Sequence, residues 1–336
     1  MTVKFTRPSI NIRETLDQLN KPSGIAGNAM LAAETPQEQF NLIGAGRKNL
    51  IINGGFDVWQ RGTSQTGSGR NSVDRWYGAN AGAMAKDVDA TGNPILKFTT
   101  NGHVDPYLFT IIEDGVRILR GKTVTFSCYI KSAHPDPIQF LYLRQNGTGG
   151  ALVGKATMAS SESGWDRYVF TTTIPESWTD NDHLYTDIEF TGGMTADIWV
   201  KNVQLEIGSV ATPFEYRSYG EELALCQRYY QQVGGYAHNS YAIGQFYTSY
   251  VGRCMLHFEE MRIAPTISSN APENFGAWNA AATTLELTAL SFIDTTVRNT
   301  MCQVSRTSGG FVAGNVAVLK DGGINTSRIY LDAELY

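Results

Sequence analysis

The 336-residue chain is short of charge and of the features that charge usually serves. Charged residues make up 18% of it, the net charge is −5, and no segment concentrates Lys and Arg. The electrostatic footprint by which proteins hold duplex nucleic acid is therefore missing. No run approaches the ~18 apolar residues of a membrane-spanning helix. The opening MTVKFTRPSI has no apolar segment of the kind that directs secretion. The expectation is synthesis and retention in a cytoplasm. Cysteines are few (Cys128, Cys226, Cys254 and Cys302) and form no C-x-x-C pair. Three sit in apolar patterns, so buried free thiols are expected rather than disulfides or a zinc site.

Catalytic signatures are missing too. The histidines, His103, His134, His183, His238 and His257, are scattered, and G-x-S-x-G, H-E-x-x-H and P-loop motifs do not occur. The acid pairs Glu113–Asp114 and Glu259–Glu260 are adjacent in sequence. On a strand such neighbours point to opposite faces and could not flank one glycosidic bond. The TDNDH segment fails as an EF-hand: counted from Asp180, Tyr185 stands where Gly is needed and Thr191 where Glu is needed. The chain reads as a binding or structural protein, not an enzyme.

What is present is β-rich. Hydrophobic residues reach 42%, enough for real cores, and 34 Gly accompany 16 Tyr and 15 Phe. Glycine serves turns, and aromatics suit pleated, half-buried surfaces. KTVTFSCYIKS puts Val124, Phe126, Cys128 and Ile130 on one face. DRYVFTTTIP does the same with Tyr168, Phe170, Thr172 and Ile174, and HLYTDIEF with Leu184, Thr186, Ile188 and Phe190. In ADIWVKNVQLEIG, Ile198 and Val200 precede Val203, Leu205 and Ile207, and that change of phase predicts a β-bulge at Lys201–Asn202. Together with PILKFTT, PYLFTII and IQFLYLRQ, these runs predict an antiparallel sandwich over residues 49–218.

The flanks differ. Residues 1–48 carry two short helical signals. In the first, Ile12, Leu16 and Leu19 recur at helical spacing. In the second, Thr35, Pro36 and Glu38 make a capped start before Gly44. Both are too short to be stable alone, so their apolar faces call for partners. A longer helix is predicted over residues 219–235, where Leu223, Cys226, Tyr230 and Val233 form a stripe closed by Gly234–Gly235. A smaller β domain should occupy 236–336. Its last strand places Ile329, Leu331, Ala333 and Leu335 on one face.

Among the tryptophans, Trp165 and Trp178 lie in polar, turn-like contexts. They are candidates, with Tyr185, for an exposed platform on which a sugar ring could stack. Trp59 and Trp76 read as core or hinge packing.

Several strings together resemble one family. NLIINGGFDVWQRGTS followed by VDRW is similar to the opening of a domain common in bacteriophage tail-fibre and receptor-binding proteins. VQLEIGSVATPFEYRSYGEELALCQRYYQQ resembles that domain's end and the CQRYY helix after it. MRIAPT and LDAEL resemble the short C-terminal domain that often follows. GNAMLAAETPQEQFNLIGAG resembles a linker element of tail-fibre proteins. The resemblance implies a mainly β virion protein with a carbohydrate-binding-module-like jelly roll, usually a homotrimer. Residues 1–48 would then attach to other tail or head proteins, and a host-surface glycan would be the partner. It gives the 219–235 helix a second reading beside that of a plain linker. Leu223, Cys226, Tyr230 and Val233 would face a trimer axis. It also implies room for a structural calcium between first and last strands, near Asp57 and Glu206, with no other cofactor. Three roles follow: a fibre that recognises glycans, a head fibre or tail adaptor that only spaces, and a virion-borne depolymerase, the last without support from any catalytic set.

Overall fold

The computed structural model describes residues 48–335 apart from 71, 146–150, 155–156, 163, 179–182, 236–239, 279–283 and 323–326. The two expected N-terminal helices, and Asp180 and Asp182, lie outside the described residues.

The first unit is an antiparallel jelly-roll sandwich. Its seven-stranded sheet runs in the order β1 (Ser64–Thr66), β3 (Ala81–Val88), β4 (Pro94–Thr100), β12 (Asp197–Ile207), β6 (Thr123–Ser132), β10 (Trp165–Thr173) and β9 (Thr157–Glu162). The facing five-stranded sheet runs β2 (Tyr77–Ala79), β5 (Tyr107–Ile112), β11 (Leu184–Phe190), β7 (Ile138–Gln145) and β8 (Ala151–Gly154). The alternating apolar positions of the sequence meet between the sheets: Leu96, Phe98, Val124, Phe126, Leu141, Ile188, Phe190 and Val200 are all shut off from solvent. Phe98 and Phe190 join the two layers, their ring centroids 4.6 Å apart. Each such side chain contributes about 1.5–3 kcal/mol on burial. The bulge is where the phase change put it. Pairing of β12 with β6 shifts between Lys201 and Gln204, and Asn202 takes a left-handed φ of 53°. The extra residue returns Val203 and Leu205 to the core behind Ile198 and Val200.

A five-residue helix, α1 (Gly115–Leu119), follows β5. The second helix, α2, is shorter than its sequence pattern. It spans Tyr219–Gln227 and opens on a capping box in which the Ser218 hydroxyl accepts from the Glu221 N–H. Among the described residues no helix is long and apolar enough to cross a membrane.

The second unit begins directly after α2. β13 (Tyr230–Gly234), β22 (Arg328–Asp332) and β16 (Thr266–Ser269) form a three-stranded sheet in that order. A seven-stranded sheet has the order β18 (Thr284–Glu286), β17 (Phe275–Trp278), β21 (Val316–Asp321), β14 (Ser240–Phe246), β15 (Val251–His257), β20 (Asn299–Ser305) and β19 (Ala289–Ile293). The two share one core, which includes Phe246, Phe275, Leu319, Ile329 and Leu331. The expected buried face of the last strand holds: Ile329, Leu331, Ala333 and Leu335 are all buried. All four cysteines are free and buried.

The trimer-axis stripe is revised by this arrangement. Tyr230 pairs with Asp332 and Val233 with Ile329 on a strand, so four residues spaced for one helix do not share a helical face. Cys226 is fully buried within the chain, and Tyr230 is buried too. Leu223, on α2, is half-buried.

The strings that carried the family resemblance converge instead on the junction of the two units. Asn53 stands at a left-handed φ of 58°. Its amide donates to the carbonyls of Val58 and Asp74, and its own carbonyl accepts from the Trp76 indole. Its N–H donates to Glu222 on α2, which also meets Arg217 at 3.2 Å. Arg61 and Arg75 lie over the rings of Tyr230 and Tyr229, 3.7 and 3.5 Å from the centroids. Arg61 pairs with Asp332 at 2.9 Å, and Arg75 forms a buried ion pair with Glu334. Glu113 clasps Arg228, Arg262 and the Tyr229 hydroxyl from the sandwich side. Buried charges are tolerated only when paired and hydrogen-bonded, so these motifs specify one mutual placement of the two units.

Candidate binding cleft

The five-stranded sheet has a second face, turned away from the sandwich core, and its residues are unusual for an outward face. Strand register sets three rows across it. Tyr77, Phe109, Asp187, Tyr142 and Val153 make the first. Ala79, Tyr107, Glu189 and Phe140 make the second, and Ile111, Tyr185, Arg144 and Ala151 the third. An antiparallel sheet with one solvated face ordinarily turns polar side chains outward. Here six of the thirteen outward positions carry rings: Tyr77, Tyr107, Phe109, Phe140, Tyr142 and Tyr185.

The C-terminal unit covers one end of this face. Tyr229 and Leu335 pack on Phe109, Ile111 and Tyr185, and Arg70 donates to the Leu335 carbonyl at 2.7 Å. What stays open is a cavity of about 190 Å³ lined by Tyr107, Tyr142, Arg144, Ala151, Asp187 and Glu189. That is below the ~300 Å³ of an ordinary small-molecule pocket. It is a shallow depression on an open face, about large enough for one ring.

The chemistry of the lining is specific. Arg144 lies over the Tyr185 ring at 4.1 Å, and its Nε donates to Asp187 Oδ2. Asp187 Oδ1 is buried with no hydrogen-bond partner among the described residues. Burial pushes the Asp187 carboxyl up to about 6, against the pull of Arg144. Burial also raises the Tyr142 phenol, with Glu189 beside it adding to the effect, and raises that of Tyr107. Phe140 meets Tyr142 edge-on at 5.6 Å. The cleft thus offers half-buried rings with apolar faces and a fixed guanidinium, beside a buried carboxylate oxygen without a partner among the described residues. A ring with an apolar face and hydroxyls on its edge matches that set.

The platform residues expected from sequence are elsewhere or covered. Trp165 is buried on the seven-stranded sheet beneath Lys201, whose Nζ stands 4.3 Å from its ring. Trp178 packs into the main core. Tyr185 lies on the same outward face, outside the cavity lining, and Arg144 and Phe109 cover its ring, so it is a support rather than a platform. Polar neighbours in sequence did not mean exposure, because Lys201 of β12 lies over Trp165 and the core takes in Trp178. Trp76 is core, as expected, and Trp59 is half-buried with its indole N–H donating to the Phe56 carbonyl.

Glu206, of the suggested calcium pair, is engaged by its own chain. The Glu206 carboxylate accepts from the Thr212 N–H at 2.9 Å, the Thr212 hydroxyl at 2.7 Å and the Gln204 amide at 2.9 Å. Asp57 is raised by burial and by nearby Glu222. Among the described residues no three of His, Cys, Asp and Glu gather as metal ligands.

No family model matches the chain, and no curated protein matches it. Solved structures match about half of it. The enzymatically active domain of tailspike protein 4 of bacteriophage CBA120 is 12% identical, over 48% of this chain and 21% of that one, with a TM-score of 0.31. A CBM4 structure is 20% identical, over 47% and 99%, at 0.33. The CBM22-1 xylan-binding domain of Paenibacillus barcinonensis Xyn10C is 12% identical, over 49% and 99%, at 0.33.

Proposed function

We propose that this chain is a glycan-binding, non-catalytic virion protein, a homotrimeric phage tail fibre that contacts host-surface polysaccharide through the cleft of its five-stranded sheet. The observation that carries the glycan reading is the cleft lining. Outward Tyr107 and Tyr142 flank Asp187, whose buried Oδ1 has no partner among the described residues. The virion and trimer readings rest on the family-like strings, and residues 1–48 are assigned to attachment on other tail or head proteins. Weak single-site affinity would be multiplied by several copies per particle.

The purely spacing role of a head fibre or tail adaptor needs no such cleft. A depolymerase role would use Asp187 and Glu189 as the acid pair. They stand two residues apart on one face of β11, and Arg144 donates to Asp187 Oδ2. The reading adopted is binding without cleavage, and the release of reducing ends tests it.

The test is calorimetric titration of host-surface oligosaccharides against the wild type and Tyr142→Ala. Loss of a stacking ring should weaken binding about twofold to thirteenfold, from the ~0.5–1.5 kcal/mol of such contacts. A panel in which nothing binds, or a Tyr142→Ala variant that binds as the wild type does, overturns the assignment. Release of reducing ends would overturn the non-catalytic part alone.

A further inference from the structure

The cleft of the five-stranded sheet holds more negative than positive charge, and the surplus is set among rings. Its lining carries Asp187 and Glu189 against a single cation, Arg144. That cation is already committed. Its Nε donates to Asp187 Oδ2, and its guanidinium lies over the Tyr185 ring. Asp187, its side chain 5% exposed, keeps an Oδ1 without a partner among the described residues. Glu189 stands at the other end of the same strand face. It is four residues from Tyr185, the register partner of Arg144, roughly 14 Å along extended backbone. Its own register partners are Tyr107 on β5 and Phe140 on β7. Side chains paired in this way have Cβ atoms about 4.5–5.5 Å apart. Burial raises the Tyr142 phenol, and a hydrogen bond to Glu189 adds to the effect. The Glu189 carboxylate is therefore framed by three rings, and no cation of the lining is left to neutralise it. Glu189, Tyr107, Phe140 and Tyr142 are all half-buried, so none is closed to a ligand.

From this geometry we infer that the sugar selected by the cleft carries a positively charged amine, seated against Glu189 among Tyr107, Phe140 and Tyr142. The inference rests on the glycan reading of the same cleft and names the class of sugar. An ammonium is attracted twice in such a place, by the carboxylate and by the negative faces of the rings. Half-burial lowers the effective dielectric, so both attractions exceed those of an exposed pair. A neutral hydroxyl could also donate to Glu189, but it gains little from the ring faces. An acidic sugar is disfavoured outright. Its carboxylate or phosphate would add a third negative charge to a lining that holds two, and the guanidinium that could answer it is spent on Asp187. The size also fits. A cavity of about 190 Å³ takes one sugar ring, and the side chains that hold the amine on its edge can cover its apolar face.

Calorimetric titration of the full chain at pH 6, where a sugar amine is protonated, tests it with three oligomers of equal length: glucosamine, N-acetylglucosamine and galacturonate. Acetylation removes the charge and keeps the sugar, and galacturonate reverses the sign. The wild type should bind the glucosamine oligomer about tenfold more tightly than the acetylated one, and the galacturonate oligomer most weakly. Glu189→Gln keeps the shape of the side chain and removes its charge, and circular dichroism melts establish that the variant folds. In it the ratio between the glucosamine and acetylated oligomers should fall to within about twofold. Raising salt should shrink the same ratio in the wild type. A wild type that binds the acetylated oligomer as tightly as the free amine, or galacturonate as tightly as either, overturns the inference and leaves the glycan reading standing. An amine preference that persists in folded Glu189→Gln overturns the seat assigned to it. If none of the three binds, the inference fails, and the panel of host-surface oligosaccharides decides whether the glycan reading fails with it.

Discussion

Replacing Asp187 by Asn should make the protein more stable and a poorer binder at once. The carboxyl is buried, and its pKa is lifted from 3.8 to about 6, chiefly by burial. A folded-state value above the unfolded one means that the folded chain holds the proton more tightly. The stability from the neutral carboxyl is fully present below about pH 4 and is lost as pH rises through about 6. The lift corresponds to about 3 kcal/mol. The amide introduced by Asp187→Asn never ionises, so the variant should match the wild type near pH 4 and exceed it by up to about 3 kcal/mol at pH 8. Loss of the Arg144 partner trims that gain only partly, because Arg144 is about a third exposed, at 32%. Asp74, also raised to about 6 by burial, keeps its share of the pH dependence in both proteins. Binding should move the other way. Losing a charged acceptor for a ligand hydroxyl costs about 1.5–3 kcal/mol, or about 10-fold to 150-fold in affinity. Denaturant melts at pH 4.5 and pH 8, with calorimetric titration at pH 8, measure both effects. A variant that melts at or below the wild type at pH 8, or that keeps wild-type affinity, refutes the reasoning.

Three further outcomes follow from the fold. Glu334→Ala should cost about 3–5 kcal/mol in urea unfolding, because it leaves the buried Arg75 guanidinium without its carboxylate and removes a partner of Arg61; a loss under 1 kcal/mol would show that the junction does not depend on the pair. Gly54→Ala should destabilise far more than Gly92→Ala. A Cβ at Gly54 would stand 2.1 Å from the Val203 carbonyl oxygen, whereas Gly92, at a φ of +84°, has open space and only backbone strain of about 1–2 kcal/mol to bear; thermal melts that rank them in reverse would contradict the packing. The four thiols should resist a disulfide reagent until the chain unfolds, since burial pushes Cys254 up to about 11 and Cys302 to about 12; rapid native labelling of any one would place it at the surface.

The strands were legible because a single solvent-excluded layer imposes a period of two, and even the bulge at Asn202 left its mark as a change of phase. The end of α2 was not, because the helical stripe was a coincidence of spacing. Leu223 and Cys226 lie on the helix, while Tyr230 and Val233 obey the period of a strand whose partner, Arg328–Asp332, is about a hundred residues away. Local pattern carries no information about such a partner. The cleft was hidden for a related reason. Attention to tryptophans in polar loops assumed that a binding ring must look exposed in its own neighbourhood. The better signal lay inside the strands. PYLFTII and IQFLYLRQ are apolar or aromatic at both phases, and HLYTDIEF sets a tyrosine and two acids on its second phase. A solvated antiparallel sheet has no need of Tyr107, Phe109, Phe140, Tyr142 and Tyr185 on its outward side. Rings in both registers of one sheet mean that both of its faces are meant to be covered, one by the core and the other by something else. On this sheet Tyr229 and Leu335 supply part of that second cover, and the stretch from Tyr107 to Tyr142, uncovered by them, is where the proposed ligand would complete it.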